Sequence, residues 1–134
     1  MKKILIVTAH FYKDISHSML NEATKALKHK QKKTNKKYNI KFISVKGVFE
    51  IPVVISKNIK KFDGFVAIGC VIKGETPHFD FISKAVTEGI MNLSIQNKKP
   101  IGNGIITCLN KSQAMNRIDK GADAVNAALE VLSL

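Results

Sequence analysis

Four short runs of apolar and β-branched residues alternate with longer segments of helical periodicity, and this alternation limits the fold more than any single motif does. The runs are Lys3–Ala9, Tyr38–Val45, Phe65–Ile72 and Ile101–Cys108. Asp63-Gly64 and Pro100 precede the third and fourth, where turn residues are expected. Between the runs, Ser16 is placed to cap a helix to about Lys32, with Met19, Leu20, Ala23, Ala26 and Leu27 on one stripe. A second helix is expected from Pro52 to about Lys61. A third runs from Pro77 to about Asn97, buried through Phe81, Ile82, Ala85, Val86, Ile90 and Leu93. A short helix over Ser112–Ile118 and a last one from about Gly121 close the chain. Strands alternating with helices specify an α/β domain with a mostly parallel sheet and right-handed crossovers. At 134 residues, 1–134 reads as a single domain without repeat or linker.

Open parallel sheets bind ligands beyond the carboxyl ends of their strands. The segments leaving those ends are His10–Asp14, Lys46–Glu50, Lys73–His78 and Leu109–Lys111. In the third, Thr76 is suited to cap a helix, Pro77 to its first position, and Asp80 to its first turn. A strand, a Gly-containing loop and a capped helix leave backbone N–H groups facing an anion. His78 at that mouth is either a proton carrier near neutral pH or an ordinary surface histidine. Phe11, in a polar loop, either stacks on a planar heterocycle or folds back as a lid over the core. Phe49-Glu50 line a pocket and accept hydroxyl hydrogen bonds, or place a carboxylate at a helix start, two readings that are compatible with each other.

Composition narrows the function classes. The chain carries 21 Lys and one Arg, and its formal charge is +12. Much of the excess lies between Lys25 and Lys41, where only Tyr38 is available to stack on bases, so a solvated basic surface is expected rather than nucleic-acid binding. In a chain that otherwise uses Lys, Arg117 marks a bidentate grip on phosphate or carboxylate, or else reflects chance or a helix-surface ion pair. Lys120 is a weak signal among so many lysines. Cys70 and Cys108, in apolar surroundings, read as buried free thiols, and the His and Cys spacing predicts no metal site. No apolar run approaches the roughly 20 residues of a membrane span. The apolar start is followed directly by His10, Tyr12, Lys13 and Asp14, so it reads as a first strand in a cytoplasmic protein, not a leader. There is no P-loop, no GxGxxG after the first strand and no nucleophile–His spacing. A phosphoacceptor domain would need acidic residues where Ala9-His10 and Cys70-Val71 stand.

Gly47-Val-Phe-Glu-Ile-Pro52 together with Gly69-Cys-Val-Ile-Lys-Gly-Glu-Thr-Pro-His-Phe-Asp80 resembles the lumazine synthases of riboflavin biosynthesis. Phe11, Gly104-Ile-Ile-Thr107, Gln113-Ala114, Arg117 and Lys120-Gly121 follow the same pattern in order. The resemblance implies a flavodoxin-like three-layer sandwich with a four-stranded parallel sheet, working as a homo-oligomer on small-molecule substrates. It implies condensation of 5-amino-6-ribitylaminouracil with 3,4-dihydroxy-2-butanone 4-phosphate, with no metal or other cofactor. Phe11 would stack on the pyrimidine, Val48, Phe49 and Glu50 would hold the ribityl chain, and Val71 and Ile72 would line the ring pocket. Gly74, Glu75 and Thr76 would meet the butanone phosphate, and His78 would move protons. Asn103, Arg117 and Lys120 would come from a neighbouring subunit, with Arg117 on phosphate and Lys120 near the ring or phosphate. Riboflavin synthase is the implied pathway partner, and its archaeal type, which dismutates two lumazines on a similar fold, is the competing activity. Three departures stand out. Asn103 occupies a position where the family often has Phe, and the segment from Arg117 to Lys120 is shorter than usual. The sequence also begins at the first strand without an N-terminal arm, which favours a pentamer over a sixty-subunit shell.

Overall fold

The computed structural model describes residues 1–134. Strand β1 is Lys2–Ala9, helix α1 Lys13–Thr34, strand β2 Tyr38–Val45, and a single 3-10 turn at Val48–Glu50 leads into α2, Ile51–Asn58. Then come β3 Gly64–Ile72, α3 His78–Asn97, β4 Ile101–Cys108, α4 Lys111–Met115 and α5 Lys120–Leu132. The four strands form one parallel sheet in the order β2-β1-β3-β4. Helices cover both faces in a flavodoxin-like three-layer sandwich.

The pleat explains why the strand sequences look continuously apolar. Successive side chains point to opposite faces, and here both faces are covered. Ile4 and Ile6 of β1 and Val66 and Ile68 of β3 join Ile15, Met19 and Leu27 of α1 and Val125 and Leu129 of α5 in one core. Leu5 and Val7, with Phe65 and Ala67, join Ile51 and Ile55 of α2 and Val86 and Ile90 of α3 in the other. Each such fully buried Leu, Ile or Phe contributes about 1.5–3 kcal/mol relative to exposure. The two core-side helices α1 and α5 come close because Gly121 has no side chain. A Cβ there would collide with the Met19 carbonyl oxygen.

Several boundaries differ from expectation for local reasons. Helix α1 starts at Lys13, a turn before Ser16, because Ile15 already belongs to its buried stripe. Ser16 is therefore not a cap: its buried hydroxyl donates back to the Tyr12 and Lys13 carbonyls at 3.0 and 3.3 Å. Helix α3 takes His78 as its first residue with Pro77 at the cap, while the Thr76 hydroxyl accepts from the His78 N–H at 3.4 Å. Its core-facing row is Ile82, Val86, Ile90 and Leu93, so Phe81 and Ala85, one position off that row, face outward. Helix α2 stops at Asn58, short of Lys61. Helix α4 ends at Met115 rather than Ile118, started by Asn110, whose side chain accepts from the Gln113 N–H at 2.9 Å. No helix is long and apolar enough to cross a membrane.

Cys70 and Cys108 are free and buried. In the β3–β4 register Cys70 pairs with Ile106 and Ile72 with Cys108, so the thiols are diagonal neighbours on the α1/α5 face. Burial first, and the adjacent Cys108 second, push the Cys70 thiol up from 9.0 to about 12. Its folded value lies above its unfolded one, so its contribution to stability is complete below about pH 9 and is lost as pH rises toward 12. A thiol-specific chromogenic reagent at pH 8 should label neither cysteine quickly until denaturant is added, and denaturant midpoints should begin to fall above pH 9. Rapid labelling of native protein would show that Cys70 is neither buried nor held protonated.

Candidate active site

β1 and β3 are adjacent, but the chain leaves β1 through α1 towards β2 and leaves β3 through α3 towards β4. The connections diverge, and a crevice opens at the carboxyl ends between them. There a cavity of about 290 Å³ is lined by Phe11 and Tyr12 after β1 and by Gly47, Val48 and Phe49 after β2. Cys70, Val71 and Ile72 at the end of β3, with His78 and Ile82 on α3, complete it. Its walls are mainly apolar, with one imidazole at the edge, which suits a planar organic ligand better than a bare ion.

Close packing beneath the cavity sets its floor. Val48 is buried, and a Cβ at Gly69 would lie 2.5 Å from Val48 Cγ1 and 3.2 Å from the Ala9 Cβ. Glycine at 69 therefore lets the 3-10 turn settle onto β1 and β3, and that turn carries Phe49, 59% exposed, at the rim. Phe11 is 63% exposed, so it is a presented ring and not a lid folded into the core. Glu50 lies just outside the lining, with its Oε1 accepting from the Gly47 N–H at 3.1 Å. Glycine cannot return a side-chain bond, so only half of a capping box forms and Oε2 has no partner in the chain. The carboxylate thus supports the turn and still presents an oxygen to solvent.

The loop from β3 to α3 adds donors. The Lys73 N–H donates to the Cys108 carbonyl at 2.9 Å and pins the loop's start to the end of β4. Beyond it, the N–H groups of Gly74, Glu75 and Thr76 are exposed and make no hydrogen bond within the chain. They stand before the 20-residue helix α3, whose dipole adds partial positive charge. His78, exposed at the first position of α3, follows these donors in the chain and lines the apolar cavity.

Three candidates lie elsewhere. Asn103 sits on β4, the outer strand, with its Oδ1 accepting from the Ile105 N–H at 3.0 Å. It borders a groove between β4 and α5 that also holds Lys98 and Lys99. Arg117 and Lys120 line a separate hollow of about 290 Å³ with Ile105, Ile106, Thr107 and Asp119. The Arg117 Nη1 approaches the Thr107 carbonyl at 3.5 Å and has no carboxylate partner; the only ion pair in the chain is Lys25–Glu22. Arg117 thus forms no ion pair within the chain, and this long hydrogen bond is the one polar contact its guanidinium makes there.

The fold thus gathers Phe11, Val48, Phe49, Val71, Ile72 and His78 into one cavity, while Glu50, Gly74, Glu75 and Thr76 stand beside these residues in the chain but outside its lining. Asn103, Arg117 and Lys120 are on another edge of the molecule. Sequence reasoning overlooked Tyr12, Cys70 and Ile82 as lining residues. Tyr12 could have been found from its place beside Phe11 in the first rim loop, whereas Cys70 and Ile82 carried only a core signal.

A parallel α/β sandwich with an apolar slot and a histidine at its switch point is a flavodoxin-like fold with a site of small-molecule size. Residues 1–134 match the family model described as 6,7-dimethyl-8-ribityllumazine synthase. The chain is 35% identical over 134 residues to the 6,7-dimethyl-8-ribityllumazine synthase of Corynebacterium kroppenstedtii, covering 95% of this chain and 80% of that protein. It is 38% identical over 143 residues to the synthase of Agrobacterium fabrum, covering 98% and 93%. With the synthase of Bartonella tribocorum the identity is 39% over 139 residues, covering 98% and 88%. The chain belongs to the 6,7-dimethyl-8-ribityllumazine synthase family.

Gly69→Ala tests whether the cavity floor depends on this close contact. It should destabilise the fold by about 1–3 kcal/mol through overpacking against Val48, read from the denaturant midpoint, and should weaken ligand binding at the displaced 48–50 turn. An unchanged midpoint would mean that the turn moves aside freely.

Proposed function

We infer that this protein makes 6,7-dimethyl-8-ribityllumazine in riboflavin biosynthesis. The 5-amino group of 5-amino-6-ribitylaminouracil condenses with the carbonyl of 3,4-dihydroxy-2-butanone 4-phosphate, phosphate and water leave, and the second ring closes. The family match along the whole chain carries this reading, and the cavity at the β1/β3 crevice supports it with an apolar slot suited to a planar ring.

In this reading the Phe11 ring stacks on the pyrimidine, whose other contacts are Val71 and Ile72. The ribityl chain runs over Val48 and Phe49 towards the free oxygen of Glu50. The butanone phosphate lies against the N–H groups of Gly74, Glu75 and Thr76, where unpaired donors and a helix dipole favour an anion. His78, between the two, takes and returns protons as the imine forms and phosphate departs. Holding two substrates in one orientation supplies much of the acceleration, as it removes a bimolecular encounter from the barrier.

Arg117 and Lys120 would add cations to the phosphate end, yet they line a different hollow beside the edge strand β4. A second copy presenting its β4 edge to this crevice would bring them, with Asn103, to the substrate. The active form in this reading is a homopentamer with five shared sites, and Asn103 provides an amide where an aromatic wall is usual. Two free thiols fit a reducing, cytoplasmic setting.

Incubating the protein with both substrates and following lumazine absorbance tests the reaction; no product would refute it. Arg117→Lys should raise KM for the butanone phosphate about tenfold or more by removing the fork, while KM for the pyrimidine changes little. His78→Ala should lower kcat about tenfold to a hundredfold. Equal increases in both KM values would assign Arg117 a structural role, and an unchanged kcat would remove His78 from proton transfer. Light scattering should give five times the 14.8 kDa chain mass, and a monomer that turns over would exclude the shared site.

A further inference from the structure

We propose that Tyr12 is a positioning residue for the pyrimidine: it holds the Phe11 ring upright and closes the back of the ring pocket. The proposal rests on the lumazine reading and adds to it a role for a lining residue that the proposed mechanism leaves without one.

Phe11 has little else to hold it. It is 63% exposed, in a short loop between β1 and α1. Its one aromatic contact is with Tyr12, with ring centroids 4.9 Å apart and planes at 80°, an edge-to-face pair. Tyr12 is anchored. Its ring is half-buried against the α1/α5 core. Its carbonyl accepts both the N–H and the hydroxyl of the buried Ser16, each at 3.0 Å. On the other side of Phe11, the His10 N–H donates to the Val45 carbonyl at 2.9 Å. The backbone is therefore clamped on both sides of Phe11, and the orientation of its ring is left to Tyr12.

The same pair forms a partition. A second cavity of about 310 Å³, lined also by Lys13, Asp14, Ile15 and Lys111, shares only Phe11 and Tyr12 with the ring pocket. Loss of the Tyr12 ring would join an apolar slot to a wet cavity holding two lysines and would release the stacking ring. A ring ordered before binding loses less rotamer freedom when the ligand arrives. The tyrosine hydroxyl makes no hydrogen bond within the chain, so the edge-to-face contact needs its ring and not its oxygen.

Steady-state kinetics on the intact protein and Tyr12→Ala, Tyr12→Phe, Phe11→Ala and the Phe11→Ala/Tyr12→Ala double variant test this. Tyr12→Ala should raise KM for 5-amino-6-ribitylaminouracil by about threefold to tenfold, the scale of one aromatic pair, and leave KM for the butanone phosphate unchanged. Tyr12→Phe should stay within about twofold of the unmodified protein. In the Phe11→Ala background, Tyr12→Ala should add less than it does in the unmodified protein, because no ring remains to position and only closure of the pocket is lost. An undiminished Tyr12 effect without Phe11, parallel rises in both KM values, or failure of Tyr12→Phe to restore binding would each overturn the proposal. Calorimetric titration with the pyrimidine alone gives the same comparison as Kd. Unmodified protein that binds it without turnover would therefore refute the lumazine reading and still decide the role of Tyr12.

Discussion

The structure depends on burying β1 and β3 on both faces. Every residue from Ile4 to Ala9 is buried, and so is every residue from Gly64 to Cys70. These strands can be covered twice only if the connecting helices divide between the two faces. Ile4 and Ile6 need α1 and α5, while Leu5 and Val7 need α2 and α3. With helices on both sides and all strands parallel, the chain must add β2 on one side of β1 and β3 on the other. That reversal places the crevice where the site residues gather.

The outer strands complete the picture by contrast. β2 is only half covered, with Phe42 55% exposed and Lys41 beside it, a charge that discourages edge-to-edge pairing. β4 alternates buried Gly102, Gly104, Ile106 and Cys108 with exposed Asn103 and Thr107. The buried glycines let α5 lie almost on the strand, since a Cβ at Gly102 would meet the Ala124 carbonyl. Asn103 lies on the exposed side of this strand, and Arg117 and Lys120 line a hollow with its Ile105, Ile106 and Thr107, apart from the slot.

Much of this was legible in the residues. The strand spans were expected to within a residue or two, because a doubly covered strand requires an apolar run and turn residues punctuate it. The rim segments followed from strand order and parallel direction alone. Phe11, Phe49 and His78 were legible as site candidates because aromatic and titratable side chains in rim loops have no core role to explain them, whereas Val48, a buried core residue, was a candidate only through the family resemblance. Less legible were helix starts and the facing of α3. Ser16 has the chemistry of a cap, but Ile15 one residue earlier requires burial and draws the helix back a turn. Phe81 and Ala85 fit an apolar helix, yet the row Ile82, Val86, Ile90 and Leu93 reaches the sheet.

By itself the sequence determined the α/β class, the four strands, the rim loops and, through its two linked motifs, the resemblance to lumazine synthases. Those properties depend on local periodicity and on residue types at short spacing, which a chain carries in one dimension. Tertiary structure decided which candidates meet. It brought Phe11 and His78, far apart in the chain, to one slot, stacked Tyr12 against Phe11, and turned Glu50 back onto Gly47. It also left the Arg117 guanidinium without a carboxylate partner on a different edge. Such relations depend on the register of the sheet and the side on which each helix packs, and these are settled only when both cores close together.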